Sequence, residues 1–221
     1  LVVRAARLLQ AKTGCPLGAD ISVHKRLPMG GGLGGGSSDA ATTLLALNSL
    51  WQTGIRRETL QAWGLSLGAD VPFFIFGQSA LAQGVGEALA PLALPPAWYV
   101  VIEPAVAVPT AEIFRAEDLT RNTAPIIISG SAVDDLPDRF QREARNDLQP
   151  VACRLYPRIQ HALDALSRHG APRMSGSGSS VFLECRSEVA AKRVVEALQP
   201  DWKVWQARGL DDHPLRSWVS D

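Results

Sequence analysis

The sequence predicts an α+β fold in two parts. Strand-like alternation and helical spacing are interleaved along the whole chain, and no internal repeat or low-complexity tract interrupts them. Pro91, Pro95 and Pro96 mark a boundary that divides residues 1–96 from 97–221. With 221 residues, 46% of them hydrophobic and 20% charged, the chain can bury a substantial core as one large domain or two small ones.

The elements follow in order. Residues 1–12 fit a helix with Val2, Val3, Ala6, Leu8 and Leu9 near one face, punctuated by Gly14 and Pro16. Asp20 to Lys25 alternates and predicts a strand, ended by Pro28. A glycine run follows, then helical spacing from Ser37 to about Trp51 through Ala40, Ala41, Leu44, Leu45, Leu47 and Leu50. Ser37 or Ser38 is the expected N-cap, with Asp39 in the first turn. A short helix is expected over 56–65, an acidic turn at Leu67–Phe74, and strands around Gly84 and Gly86. Beyond the prolines, Trp98–Ile102 reads as a strand and Val108-Pro109-Thr110 leads into a short helix with Ile113 and Phe114. Residues 120–142 are polar and irregular. Asp147–Ser167 has one continuous helical spacing. A second small-residue loop, Arg173–Ser180, leads into strand Val181–Glu184, helix 187–198 and strand Trp202–Trp205.

Composition excludes several function classes. Lys+Arg and Asp+Glu are both 22, so there is no electrostatic footprint for a nucleic-acid or anionic-membrane partner. The apolar runs are too short to span a bilayer. Cys15, Cys153 and Cys185 are odd in number and unpaired in spacing, which predicts reduced thiols in a cytosolic protein. The four histidines lack metal-ligand spacing. The chain opens Leu1-Val2-Val3 without a methionine or signal-peptide pattern, and reads as a fragment joined in mid-helix.

The glycine run carries the chemistry. Gly30, Gly31, Gly32, Gly34, Gly35 and Gly36 fill six of seven positions, broken by Leu33 and followed by Ser37-Ser38-Asp39. Consecutive exposed N–H groups at a helix mouth form an anion site. A P-loop needs a lysine after its last glycine, and Gly36 is followed by Ser37. A dinucleotide fingerprint can be laid on Gly30, Gly32 and Gly35, but Pro28-Met29 interrupts the tight turn it requires. A flexible linker does not account for the ordered flanks.

The whole stretch Pro28–Ala41 resembles the ATP loop of the GHMP small-molecule kinases. Gly68-Ala69-Asp70-Val71-Pro72-Phe73 resembles their acidic motif, and Met174-Ser175-Gly176-Ser177-Gly178-Ser179-Ser180 their C-terminal glycine motif. Together with Asn146-Asp147-Leu148, Tyr156-Pro157 and Arg173, these motifs are closest to the branch whose acceptor is a cytidyl diphosphate carrying methylerythritol. The resemblance runs over nearly the whole chain.

It implies a nucleotide domain like ribosomal protein S5 over 1–96, lacking its first strands, and a ferredoxin-like α/β sandwich over 97–221. It implies γ-phosphoryl transfer from ATP to the 2-hydroxyl of the methylerythritol moiety, in the non-mevalonate supply of isoprenoid precursors. Lys25, Pro28, Met29, Gly30, Gly31, Gly32, Leu33, Gly34, Gly35, Gly36, Ser37 and Ser38 would bind ATP. Ser38 would reach an ATP-bound Mg²⁺. Asp70 would orient the acceptor hydroxyl and take its proton. Pro109, Thr110, Phe114, Gly176, Ser177 and Gly178 would meet the substrate, with Phe114 stacked on cytosine. Bland readings stay open beside these: N-caps for the serines, a turn-former for Asp70, a core anchor for Phe114.

The chain departs from the family in one respect. Members carry an early lysine in a Pro-Ala-Lys-[Ile/Leu]-Asn context and a later Gly-Tyr-His, and neither occurs in residues 1–221. Lys12, Lys25, Lys192 and Lys203 sit in other contexts. The expectation is that the complete protein is the kinase and that these residues alone are not competent. The rival readings are another GHMP kinase (mevalonate, homoserine or sugar), a nucleotide-binding module without chemistry, and an NAD-dependent oxidoreductase.

Overall fold

The structure, a computed structural model, describes residues 1–124 and 145–221. Most of the irregular 120–142 stretch therefore lies outside the described residues. The chain forms two compact units that depart from a single cut at residue 96. The first comprises Leu1–Arg26, Gly34–Leu94 and Leu210–Asp221; the second comprises Leu27–Leu33 and Pro95–Gly209.

In the first unit, α1 (Val2–Thr13), α2 (Gly35–Leu50), α3 (Arg57–Leu65) and α4 (Val71–Phe76) precede a hairpin of β1 (Ala80–Gln83) and β2 (Ala88–Pro91). Helix α2 is built mainly of Ala, Leu, Thr and Ser. Its Ala40, Ala41, Leu44 and Leu45 are buried in one cluster with Ala5 and Leu9 of α1, Leu60 of α3, and Val71 and Ile75 of α4. Gly14 ends α1 in the left-handed conformation, its N–H donating to the Gln10 carbonyl. Helix α4 is legible in the sequence only as a turn; its apolar run Val71–Phe76 has no polar face to reveal a period, and Pro72 sits near its start, where no N–H is needed. The segment 20–25 is not a strand. It has no ladder partner among the described residues, and its apolar alternates Ile21 and Val23 stay 41% and 42% exposed. Alternation alone does not make a strand when the backbone groups find no second edge.

The second unit is an antiparallel four-stranded sheet in the order β4 (Arg173–Met174), β5 (Val181–Cys185), β3 (Trp98–Glu103), β6 (Lys203–Arg208). Its helices are α5 (Thr110–Arg115), α6 (Gln149–Leu155), α7 (Pro157–Ser167) and α8 (Glu188–Leu198). Val100 on β3 pairs with Leu183 on β5, so alternate residues Val100, Ile102, Val181 and Leu183 share one face. That face is buried with Ile159, Ala162 and Leu166 of α7 and Ala191 and Val194 of α8. Side chains on the other face include Tyr99 and Phe182, whose rings meet edge to face at 6.0 Å. Ser187 caps α8 by accepting from the Ala190 N–H at 3.2 Å. The helix expected over 147–167 is two helices. Pro157 bars its predecessor from the helical region, and Tyr156 sits at φ −129°, ψ 78° between α6 and α7.

One buried charge fastens the first unit. Arg57, at the start of α3, is only 6% exposed. Its guanidinium donates to the carbonyls of Ile75 at 2.7 Å, Arg216 at 2.6 Å and Val219 at 2.7 Å, and to Asp221 Oδ1 at 2.5 Å. Segment 216–221 is thereby tied to α3 and α4. Nothing in the hydrophobic periodicity marks this arginine. Its hydrogen bond and charge hold the Asp221 carboxyl below the ordinary aspartate range. A lowered carboxylate stabilises the fold fully above the unfolded value and loses that contribution as pH falls through the folded one. Arg57→Ala strands three carbonyls and is expected to destabilise by about 3 kcal/mol. Asp221→Ala, at a carboxylate 79% exposed, removes only that solvent-screened contribution and is expected to lower the urea midpoint at neutral pH much less than Arg57→Ala does. Equal losses in the two variants would contradict this assignment.

Candidate active site

Within the first unit the site begins at the mouth of α2. Gly34 is the N-cap, in the left-handed conformation at φ 64°, and a Cβ there would lie 2.9 Å from the Phe74 ring. Neither Ser37 nor Ser38 is the cap; both lie in the first turn, where the Ser38 N–H closes the helix onto the Gly34 carbonyl at 2.8 Å. The glycines tolerate a turn that a capping serine would not adopt, so the helix starts ahead of the expected position. The N–H groups of Gly35, Gly36 and Ser37 have no acceptor inside the helix. With the helix dipole they form a positive rim, and Ser37 and Ser38 belong to the same first turn.

The acidic turn lies beside this rim. Helix α4 packs against α2 through the apolar cluster, and a Cβ on Gly68 would come 3.7 Å from Ser37 Oγ. Asp70, at the N-cap position of α4, is exposed, makes no capping bond with its side chain, and has no ion pair among the described residues. Lys25 is paired with Asp39 in the second turn of α2, which offsets part of its charge.

Within the second unit the remainder of the glycine run is pinned by the second glycine loop. The Ser180 N–H donates to the Gly31 carbonyl at 3.0 Å, and Ser175 Oγ donates to the Gly32 carbonyl at 2.7 Å. A trans peptide is planar with its C=O and N–H on opposite sides. Fixing those two carbonyls on the 175–180 loop therefore turns the N–H groups of Gly32 and Leu33 away from it. Gly32 has φ 72°, and a Cβ would lie 2.3 Å from the Ser175 carbonyl oxygen. Gly31 is buried, whereas Met29 is 81% exposed.

The substrate candidates also lie in the second unit. Pro109 is the N-cap of α5, and Thr110 Oγ meets Ser177 Oγ at 2.8 Å. Gly176 gives its carbonyl to Asn146 at 2.7 Å. Phe114 is 54% exposed and Ile113 is the residue of α5 that fills the core, so the core-anchor reading of Phe114 fails. Asn146 is legible in the sequence only as part of a motif, without a role; its signal is its place shortly before a helix start.

A glycine run at a helix mouth beside an exposed aspartate is the arrangement that the resemblance to the GHMP kinases leads one to expect. The family "GHMP kinases N terminal domain" matches residues 1–78, and "GHMP kinases C terminal" matches residues 132–203. Kinases of this class are ATP-dependent and act on small molecules. The chain is 60% identical over 219 residues to a 4-diphosphocytidyl-2-C-methyl-D-erythritol kinase of Aromatoleum aromaticum, covering 99% of this chain and 74% of the relative. It is 58% identical over 215 residues to the kinase of the same name in Azoarcus sp., covering 97% and 73%. A crystal structure of 4-(cytidine 5'-diphospho)-2C-methyl-D-erythritol kinase matches with a TM-score of 0.77 and 38% identity, over 94% of this chain and 76% of that one. This chain belongs to the 4-diphosphocytidyl-2-C-methyl-D-erythritol kinase family.

The pinned loop makes a stability prediction. Gly30 has φ 71° with nothing within 4 Å of where a Cβ would stand, so Gly30→Ala carries only the left-handed cost of about 1 kcal/mol. Gly32→Ala adds a collision with Ser175 and is expected to cost about 3 kcal/mol. Urea denaturation of both variants checks the difference; equal midpoints would show that the two loops do not dock.

Proposed function

We propose that the complete protein transfers the γ-phosphoryl group of ATP to the 2-hydroxyl of 4-diphosphocytidyl-2-C-methyl-D-erythritol, a step of non-mevalonate isoprenoid precursor synthesis. The observation that carries this reading is the α2 mouth, with its free N–H groups, set beside the Asp70 turn in a member of this kinase family. That membership favours the cytidyl acceptor over mevalonate, homoserine or a sugar, and favours an enzyme over a bare nucleotide-binding module.

In this reading Pro28 to Ser38 takes the triphosphate, with Lys25 near the nucleotide. Backbone N–H groups and the α2 dipole offset the charge that spreads over the γ-phosphoryl oxygens. Asp70 orients the acceptor hydroxyl and receives its proton. The hydroxyl oxygen bonds to the γ-phosphorus as the bond to the bridging oxygen breaks, and ADP leaves. Such transfer depends on positioning and charge stabilisation. Pro109, Thr110, Gly176, Ser177 and Gly178 line the acceptor, and the exposed Phe114 ring is available to stack on cytosine.

A Mg²⁺ ion fits the donor set only as a companion of the phosphates. No group of three or more His, Cys, Asp or Glu residues able to hold a metal occurs among the described residues, and Ser38 carries one hydroxyl in the first turn of α2. Such an ion neutralises charge on the β- and γ-oxygens when bound. The three cysteines are free thiols, which supports a reducing, cytosolic setting. No helix among the described residues is long and apolar enough to cross a membrane.

The test is a substrate panel with the full-length protein: the cytidyl methylerythritol, mevalonate and homoserine, each with ATP. Turnover is expected with the first alone. Asp70→Asn is expected to lower kcat by a factor of about 10²–10⁴ while leaving the ATP KM near wild type. Turnover with mevalonate or homoserine but not the cytidyl substrate, or full activity in Asp70→Asn, would contradict the reading.

A further inference from the structure

The 174–180 turn is held from two sides, and only one of those sides belongs to the glycine run. On the other side, Asn146 Nδ2 donates to the carbonyls of Met174 at 2.9 Å and Gly176 at 2.7 Å, while Asn146 Oδ1 accepts from the Leu148 N–H at 3.0 Å. Gln149 Oε1 accepts from the Met174 N–H at 2.8 Å. The Asn146 amide thus uses both donors and its oxygen, and the reversed orientation would set oxygen against two carbonyls. The turn is also closed on itself, with the Ser175 N–H donating to the Ser180 carbonyl and the Gly178 N–H to the Ser175 carbonyl, each at 2.9 Å. It therefore acts as a stiff link. Asn146 grips one side, and Ser175 Oγ and the Ser180 N–H take the Gly32 and Gly31 carbonyls on the other.

We propose that Asn146 is a positioning residue for the donor-phosphate loop: through the 174–180 turn it fixes the carbonyls of Gly31 and Gly32, and so aims the N–H groups of Gly32 and Leu33 at the ATP phosphates. This rests on reading the glycine run as the ATP loop. Asparagine suits the post because its donors and acceptor are all engaged. Aspartate, nearly identical in shape, has no donor and places a charged oxygen against the Met174 and Gly176 carbonyls. Alanine frees the turn without repelling it.

The experiment is steady-state kinetics of the full-length protein at saturating cytidyl acceptor with ATP varied. The variants are Asn146→Ala, Asn146→Asp, Ser175→Ala and the Asn146→Ala/Ser175→Ala double, with thermal midpoints recorded beside the rates. Loss of two hydrogen bonds predicts that kcat/KM for ATP falls about tenfold or more in Asn146→Ala, and further in Asn146→Asp. Ser175→Ala, a deletion of one hydroxyl, is expected to lower it about fivefold and keeps the test valid should Asn146→Asp fail to fold. Because both residues act through one link, the double variant is expected to be within about twofold of the worse single variant.

Unaltered kcat/KM for ATP in Asn146→Ala or Ser175→Ala, with or without a lower thermal midpoint, would reduce Asn146 to a purely structural residue and overturn the proposal. So would losses that multiply in the double variant. Wild-type protein without ATP-dependent turnover would instead remove the ATP-loop reading, and the proposal with it.

Discussion

Two hydrogen bonds between glycine-rich loops set the form of the proposed donor site. The Gly31 and Gly32 carbonyls are taken by Ser180 and Ser175, and that contact exists because Gly32 has no Cβ, which would stand only 2.3 Å from the Ser175 carbonyl oxygen. Backbone polarity does the rest. A carbonyl tied on one side of a planar peptide leaves its N–H on the other. A run of otherwise unconstrained glycines thereby becomes a surface with ordered donors, without any charged side chain.

The same contact explains why Leu27–Leu33 belongs to the second unit although it precedes α2 in the chain. Ser175, which holds Gly32, is 143 positions away in sequence, in the turn between β4 and β5. That turn is placed by a sheet whose inner face is buried against α7 and α8, and by Asn146 ahead of α6 and Gln149 at its start, which hold its first strand. In the first unit, the mouth of α2 is placed in a comparable way by apolar packing on α4, with Arg57 fastening the far end of α4 to segment 216–221.

Periodicity makes much of this legible. Helices α1, α3, α5 and α8 and strands β3, β5 and β6 follow their apolar spacing, and Gly14 and Ser187 mark helix ends by local rules. The departures have identifiable causes. Residues 20–25 have the alternation of a strand but no partner among the described residues, and pairing is not a local property. Val71–Phe76 is apolar on all sides, so it shows no period. Tyr156-Pro157 breaks a spacing that is otherwise helical, a conflict that the proline rule resolves. In the site, the glycine run and Asp70 are legible as motifs. Arg57 is not, because its value lies in three carbonyls brought together by the fold, and the grip of Asn146 on the 174–180 turn is not, for the same reason.

Everything proposed for the donor site requires that the glycine run and the mouth of α2 receive the phosphates of ATP. Amide hydrogen exchange of the full-length protein, with and without a non-hydrolysable ATP analogue and Mg²⁺, measures those N–H groups directly. The analogue is expected to slow exchange in peptides spanning Gly30–Ser38 and in those spanning Ser175–Ser180, which hold the run in place. Binding of the analogue with unchanged exchange across Gly30–Ser38 would contradict it.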